Sequence, residues 1–309
     1  MKRRILDQGE RTTGRAGLRK KVGETKVRYR TYAERKKREK IRMGFFLILT
    51  GLFLLFALFG RYFAPHDPYE TNLSAALMAP CKSYPFGTDH LGRCILSRVL
   101  EGASASTFSA LAIAGITAVF GTCIGMLAGY FGGAVDRILM KITAVFQAFP
   151  GFVLAVAVAG TLGPGLKNAM LSLGLIYWTS YARLARSLVL RVRGETYILA
   201  ARLCGASPLQ IMTRHVIPHI VSPILITATL EIGNVVLSMA GLSFLGLGVQ
   251  APLAEWGQMI NTGRTYLQTA PWCILFPSLA LFAAVLLFNL TGDCIRDVFD
   301  VGGESHVAD

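Results

Sequence analysis

The stretch Tyr197–Ile220, Y-I-L-A-A-R-L-C-G-A-S-P-L-Q-I-M-T-R-H-V-I-P-H-I, decides how this chain is read. Apolar runs long enough to lie in a membrane stand on both sides of it, yet it carries Arg202, Arg214 and two helix-breaking points. Such a segment belongs in water or against another protein. Locally it reads as two short helices meeting at a corner. Ala200, Ala201 and Leu203 favour helix, and Gly205 tolerates the left-handed conformation that ends one. Ser207 then supplies an N-cap, Pro208 fits the first helical position, and Gln210 stands where a capping box needs it. Pro218 is expected to end the second helix. Leu209, Met212 and Val216 are spaced i, i+3, i+7, so they are expected on one apolar face beside Arg202 and Arg214. A short helix with such a face is suited to docking in a partner's groove.

The flanks fix the class. The chain has 309 residues, 53% hydrophobic and only 16% charged. Six apolar stretches reach the roughly 20 residues needed to cross a hydrocarbon core of about 30 Å. They are Gly44–Phe63, Ser104–Tyr130, Met140–Leu162, Asn168–Leu190, Val221–Leu247 and Trp272–Leu290. The expected fold is therefore an all-α polytopic membrane protein with six transmembrane helices. The net charge of +14 does not point to nucleic acid, because residues 1–43 hold 17 Lys/Arg against five Asp/Glu. A basic arm abutting a span anchors on the cytoplasmic side and attracts anionic membrane lipid. With that arm inside, 26 of the 32 Lys/Arg fall on the cytoplasmic side, so both termini are expected there. The expected organisation is a basic arm (1–43), a six-span domain (44–300) with an outside loop (61–103) and a cytoplasmic loop (191–220), and a short tail (301–309).

Within the spans, Gly121, Gly125 and Gly129 recur every four residues and are expected to form a packing seam, with a hinge as the other reading. Gln147, Pro150 and Gly151 interrupt the third span, which leaves a tolerated kink and a break beside the solute path as alternatives. In the fifth span Thr227, Glu231, Asn234 and Ser238 fall at i, i+4, i+7 and i+11, on one helical stripe. Glu231 is the only acidic residue in any expected span. A carboxylate there costs at least about 2.5 kcal/mol on insertion scales, so the stripe should face a wet pathway or clamp a neighbouring helix.

Three motifs carry a family resemblance that covers about residues 44–300. Ala200, Ala201, Gly205 and Pro218 resemble the coupling loop of bacterial ATP-binding-cassette importer permeases, although Leu199 stands where that family often has Glu. In the outside loop, G-T-D-H-L-G-R-C (Gly87–Cys94) resembles a marker of the C-type permeases of peptide and nickel importers, with Cys94 in place of Asp. Asp89 is expected to cap an interfacial helix carrying Ile95, Leu96 and Leu100. Ser238–Asn261 and Phe288–Asp297 complete the resemblance, and A-P-L-A-E-W-G-Q-M-I-N is nearer to nickel than to dipeptide permeases. The resemblance implies a cytoplasmic coupling helix in which Ala200, Ala201, Gly205, Ser207, Leu209, Met212 and Arg214 meet an ATPase, while the helical stripe itself makes Thr227, Glu231, Asn234 and Ser238 the expected lining of a translocation path. It implies a multi-pass location in the bacterial cytoplasmic membrane. It also implies three kinds of partner: a second homologous permease, two ATP-binding subunits and an extracytoplasmic solute-binding protein.

No metal site is expected from the residues. His215 and His219 are four apart but separated by Pro218, and Cys81, His90 and Cys94 read as isolated, with a soft-metal site or a disulfide as the alternatives. The chain has no G-x-x-x-x-G-K-[ST] phosphate loop and no nucleophile–base arrangement. It is thus expected to bind no cofactor and to catalyse nothing itself, with ATP and Mg used by partner subunits. The cargo expected is nickel or a nickel chelate, with a dipeptide or oligopeptide as the alternative. The rival class is a self-sufficient carrier or channel, which has no need of a docking helix.

Overall fold

The computed structural model describes residues 37–300, and its regular elements are all helices. The basic arm therefore lies outside the described residues except for 37–43, and so does the tail. The chain begins as α1 (residues 37–59), followed by a turn at Gly60–Phe63. An ordered loop leads to α2 (Ile95–Phe131), which passes directly into α3 (Gly133–Gln147) and then α4 (Gly151–Leu162). The helix α5 (Leu166–Arg193) precedes the short α6 (Thr196–Leu203) and α7 (Pro208–Ile211). A π-helical turn at Met212–Val216 joins α7 to α8 (Ile217–Phe244), and α9 (Trp256–Gly263) and α10 (Trp272–Asp300) complete the order.

Among the described residues, four helical stretches are long and apolar enough to cross a membrane: Lys37–Phe63, Ile95–Phe131, Pro208–Phe244 and Trp272–Phe299. A fifth is available if α3 and α4 count as one span, but they bend by 85° at residues 148–150. The expected continuous span Met140–Leu162 is thus corrected to a broken pair. Pro150 lacks the N–H that would continue α3 and takes an extended ψ of 120° instead. The expected span at Asn168–Leu190 is helical within α5 but is not among the sufficiently apolar stretches. The whole helix α5 carries Lys167, Arg183, Arg186, Arg191 and Arg193, and its apolar side is spent on packing inside the bundle.

That packing explains the glycine seam. A Cβ added at Gly121 would overlap the Trp178 carbonyl, one at Gly125 the Ala182 carbonyl, and one at Gly129 would come 2.9 Å from Val189 Cβ. The three glycines therefore let α2 and α5 touch backbone to side chain along three turns, which favours the packing reading over a hinge.

The loop between α1 and α2 also differs from expectation. Asp89 does not cap a helix: its Oδ1 accepts from the N–H groups of Leu91 (2.9 Å) and Arg93 (3.0 Å), and its Oδ2 from Arg93 Nε at 2.7 Å. The separate interfacial helix is likewise absent, because Ile95, Leu96 and Leu100 begin α2 itself. Gly87 and Gly92 adopt positive φ, and Thr88 donates to the Ala75 carbonyl while accepting from Met78 N–H. The glycine-threonine-aspartate motif is a knot that ties the loop together.

By contacts the described chain divides into two units, residues 37–47 with 294–300 and residues 48–293. In the small unit, Arg42 donates to Asp297 Oδ2 at 2.9 Å and to Cys294 Sγ at 3.1 Å.

Candidate docking corner and polar cavity

The corner forms as its local sequence dictates. Gly205 has φ +82°, its N–H bonds the Arg202 carbonyl, and the Ala206 N–H bonds the Ala201 carbonyl, each at 3.0 Å. Those two bonds close the end of α6 in the pattern that a left-handed glycine permits. Across the corner, Ser207 Oγ accepts from Gln210 N–H, and Gln210 Oε1 accepts from Ser207 N–H at 2.9 Å, a complete capping box. Local chemistry thus holds Ala201, Gly205 and Ser207 in a fixed bend.

Two further expectations are corrected. Pro218 does not end the second helix, since α8 starts at Ile217 and the helical path is continuous from Pro208 to Phe244. The π turn immediately before it, closed by Ile217 N–H to the Met212 carbonyl, supplies the wider turn that a pyrrolidine ring needs inside a helix. That extra residue also rotates the register. Val216 turns inward and Leu209 outward, while Met212 lies half-buried between them, so the three do not share one face.

The inner face is apolar. Ile198, Ile211, Val216 and Ile220 pack with Met126 and Tyr130 of α2 and Val189 and Val192 of α5. Arg202 lies over the Tyr130 ring, 5.4 Å from its centroid. The outer face presents Leu203 (89% exposed), Leu209 (70% exposed), Ala200 and Arg214 to the surroundings. An apolar pair so exposed on a capped corner is a surface that requires a cover.

The second feature is a cavity of about 360 Å³ between α3, α4, α5 and α8. Glu231 and Ser238 line it, together with Gln147, Tyr177, Thr179, Ser180 and Arg183, and Phe146, Phe149 and Phe152 supply aromatic walls. Thr227 and Asn234, expected on the same stripe, are not among its lining residues. Thr227 donates back to the Pro223 carbonyl at 2.9 Å, and the Asn234 side chain is exposed. Tyr177 Oη and Ser238 Oγ share a hydrogen bond of 2.9 Å, and Gln147 Nε2 donates to Thr179 Oγ1 at 3.1 Å. Gln147 Oε1 is buried without a hydrogen-bond partner, and Glu231 is buried beside the Tyr181 hydroxyl. A buried polar atom is rarely left so, and Gln147 and Glu231, both in the cavity wall, mark a place suited to meet something polar. Tyr177 and Tyr181 escaped the sequence reading, although the four-residue spacing that exposed Glu231 is repeated between them on α5. A second cavity, of about 570 Å³, shares Gln147 and Arg183 with the first and adds Arg186. Arg186 is held by Asp136 through two hydrogen bonds, Nη2 to Oδ2 at 2.6 Å and Nε to Oδ1.

Glu255, also missed, is a structural carboxylate. It is fully buried, caps α9 by accepting from Gly257 and Gln258 N–H at 2.9 Å each, and accepts from Ser106 Oγ on α2 at 3.2 Å. Replacing Glu255→Ala leaves these donors unmet, so a loss of about 1–3 kcal/mol is expected, read as a lower melting temperature in detergent. Among the described residues no cluster of three or more His, Cys, Asp or Glu is arranged to hold a metal ion, and Cys81 and Cys94 are free thiols.

Comparison with known proteins gives a consistent picture. Residues 121–302 match the family described as binding-protein-dependent transport system inner membrane component, and residues 37–80 match the N-terminal TM domain of oligopeptide transport permease C. The chain is 41% identical over 254 residues to the nickel transport system permease protein NikC of Escherichia coli (strain K12), covering 82% of this chain and 92% of that one. It is 38% identical over 265 residues to the dipeptide transport system permease protein DppC of Alkalihalophilus pseudofirmus, covering 85% and 86%. It is 41% identical over 253 residues to the glutathione transport system permease protein GsiD of Escherichia coli O6:K15:H31, covering 81% and 82%.

Proposed function

This chain belongs to the family of binding-protein-dependent transport system inner membrane components, and on that premise we propose that it is the permease subunit of an ATP-driven importer that moves nickel or a nickel chelate by alternating access. One observation carries the reading. The helical path Pro208–Phe244 starts at the exposed corner and runs past Glu231 and Ser238 in the cavity wall. From Ile217 to Glu231 is about 21 Å along the axis at 1.5 Å per residue. A partner that grips Leu209, with Leu203 beside it across the fixed bend, therefore pulls on the cavity wall through one continuous helical path.

In this reading the corner is the coupling helix, and its cover is a cytoplasmic ATP-binding subunit. Two such subunits, a homologous second permease and an extracytoplasmic binding protein complete the importer. ATP and Mg belong to the ATPases, and this chain holds no cofactor. The broken α3–α4 pair and α5 serve as the third and fourth of six spans, with both termini in the cytoplasm. Arg183 and Arg186 then mark the cytoplasmic mouth of the path.

A specific observation favours a peptide as the second reading. The cavity offers one carboxylate, hydroxyls, an amide and the Arg183 guanidinium but no imidazole or thiolate, a set suited to the charged ends and amides of a peptide. Uptake of radiolabelled nickel and of a labelled dipeptide, in cells with the gene deleted and then restored, decides between the two. Selective loss and recovery of nickel supports the first reading, and loss of the dipeptide alone overturns it. In either case Glu231→Gln is expected to lower uptake about tenfold, the equivalent of 1.4 kcal/mol, with ATPase co-purification unchanged.

A further inference from the structure

The continuity of the helix through Pro218 brings together two side chains that the sequence alone separated. His215 closes the π turn and His219 lies in the first turn of α8, four residues on, the spacing that places side chains as neighbours on a helix. Both rings meet the same third ring: Tyr197 of α6 lies 6.2 Å from His215 and is stacked on His219 at 5.6 Å between centroids. His219 is exposed and His215 half-buried.

The hydrogen bonds assign the tautomer of His219. Its Nδ1 lies 2.8 Å from the His215 carbonyl oxygen, which can only accept, so Nδ1 carries the proton. Nε2 is then the bare nitrogen, and it faces Tyr197 Oη at 3.4 Å. A histidine whose Nδ1–H is tied to a backbone carbonyl, leaving Nε2 as the free acceptor, is fixed in the tautomer that metal-ligating histidines adopt. A neighbouring imidazole at i−4 completes a two-nitrogen pair.

We propose that His215 and His219 form a two-imidazole site for a first-row divalent transition metal ion, at the base of the docking corner. Imidazole suits nickel, copper and zinc and discriminates against magnesium and calcium. Water fills the remaining positions, and the exposed Tyr197 ring gives way from His219 Nε2 when the ion arrives. The site stands apart from the cavity, which contains no imidazole, and it does not depend on which solute the chain carries. Since Tyr197 belongs to α6 and the histidines to the path leading into α8, occupancy exchanges the contact between Tyr197 and His219 for a metal bond.

The test uses the full chain purified in detergent, with equilibrium dialysis against Ni²⁺, Zn²⁺ and Mg²⁺, and electron paramagnetic resonance of added Cu²⁺. The expected result is one saturable Ni²⁺ or Zn²⁺ ion per chain that Mg²⁺ does not displace, with a Cu²⁺ signal split by two nitrogens. His215→Gln and His219→Gln should each weaken Ni²⁺ binding by at least about tenfold, the scale on which even outer partners of a metal ligand act. The Cu²⁺ spectrum is recorded on the unsubstituted chain, so it does not depend on how the variants fold. No saturable ion in the unsubstituted chain, a Cu²⁺ signal from fewer than two nitrogens, or full binding by the His215→Gln/His219→Gln double variant overturns the proposal.

Discussion

Placing aspartate at both Leu203 and Leu209 is expected to abolish solute uptake while leaving the chain at its normal level in the membrane. The two leucines are the most exposed apolar side chains of the corner and make no part of the cluster beneath it. Their substitution should therefore cost the isolated chain little. In the assembled importer they would be buried anchors, each contributing about 2 kcal/mol or more to docking. Losing both weakens association roughly a thousandfold. Co-purification of the ATPase and uptake of the solute should fall together. Ile211→Asp provides the contrast, because that side chain is fully buried beneath the corner and its replacement should reduce the amount of folded chain. Normal uptake in the double aspartate variant would remove the corner from the coupling mechanism.

The second large effect lies in the seam. At Gly125 a new Cβ overlaps the Ala182 carbonyl and comes within 2.7 Å of Ala185 Cβ, both on α5. Neither neighbour is the far end of a flexible side chain, so relief requires the helices to part. Overpacking a tight core costs about 1–3 kcal/mol, and more where backbone is struck, against a typical total stability of about 5–15 kcal/mol. Gly125→Val should leave little folded protein after detergent extraction, measured as the monodisperse fraction on size exclusion. On the same helix a Cβ at Gly115 would meet nothing within 4 Å, so Gly115→Ala should be harmless. Equal behaviour of the two variants would contradict the seam.

How far the sequence could be read depended on the range of the forces involved. Gly205, Ser207, Pro208 and Gln210 act on their immediate neighbours, and the turn and capping box they imply are present in full. The Gly121, Gly125 and Gly129 seam was legible because close approach leaves only small residues possible. The stripe on α8 was half legible: helical spacing groups Glu231 with Ser238, but it does not say that Thr227 satisfies itself on Pro223 or that Asn234 points elsewhere. Pro218 misled because its tendency to end a helix is a local preference, and the π turn before it removes the clash. The same inserted residue separated Leu209 from Val216, which an unbroken 3.6-residue period would align. In α5 the cavity residues Tyr177 and Arg183 were hidden by a hydropathy pattern that mixes a packed face with a polar one. Glu255 was hidden for another reason, since a buried carboxylate acquires its purpose only when α9 and α2 meet.

The central claim is that nucleotide binding by a partner moves the cavity wall through the helix that begins at the corner. Its most direct test is the reactivity of Ser238→Cys, in a background with the native cysteines replaced, toward a membrane-impermeant maleimide applied from each side of vesicles carrying the assembled importer. The account predicts that trapping ATP on the partner shifts labelling from one side to the other, and that Leu203→Asp/Leu209→Asp abolishes the shift. Labelling that is the same with and without nucleotide would contradict it.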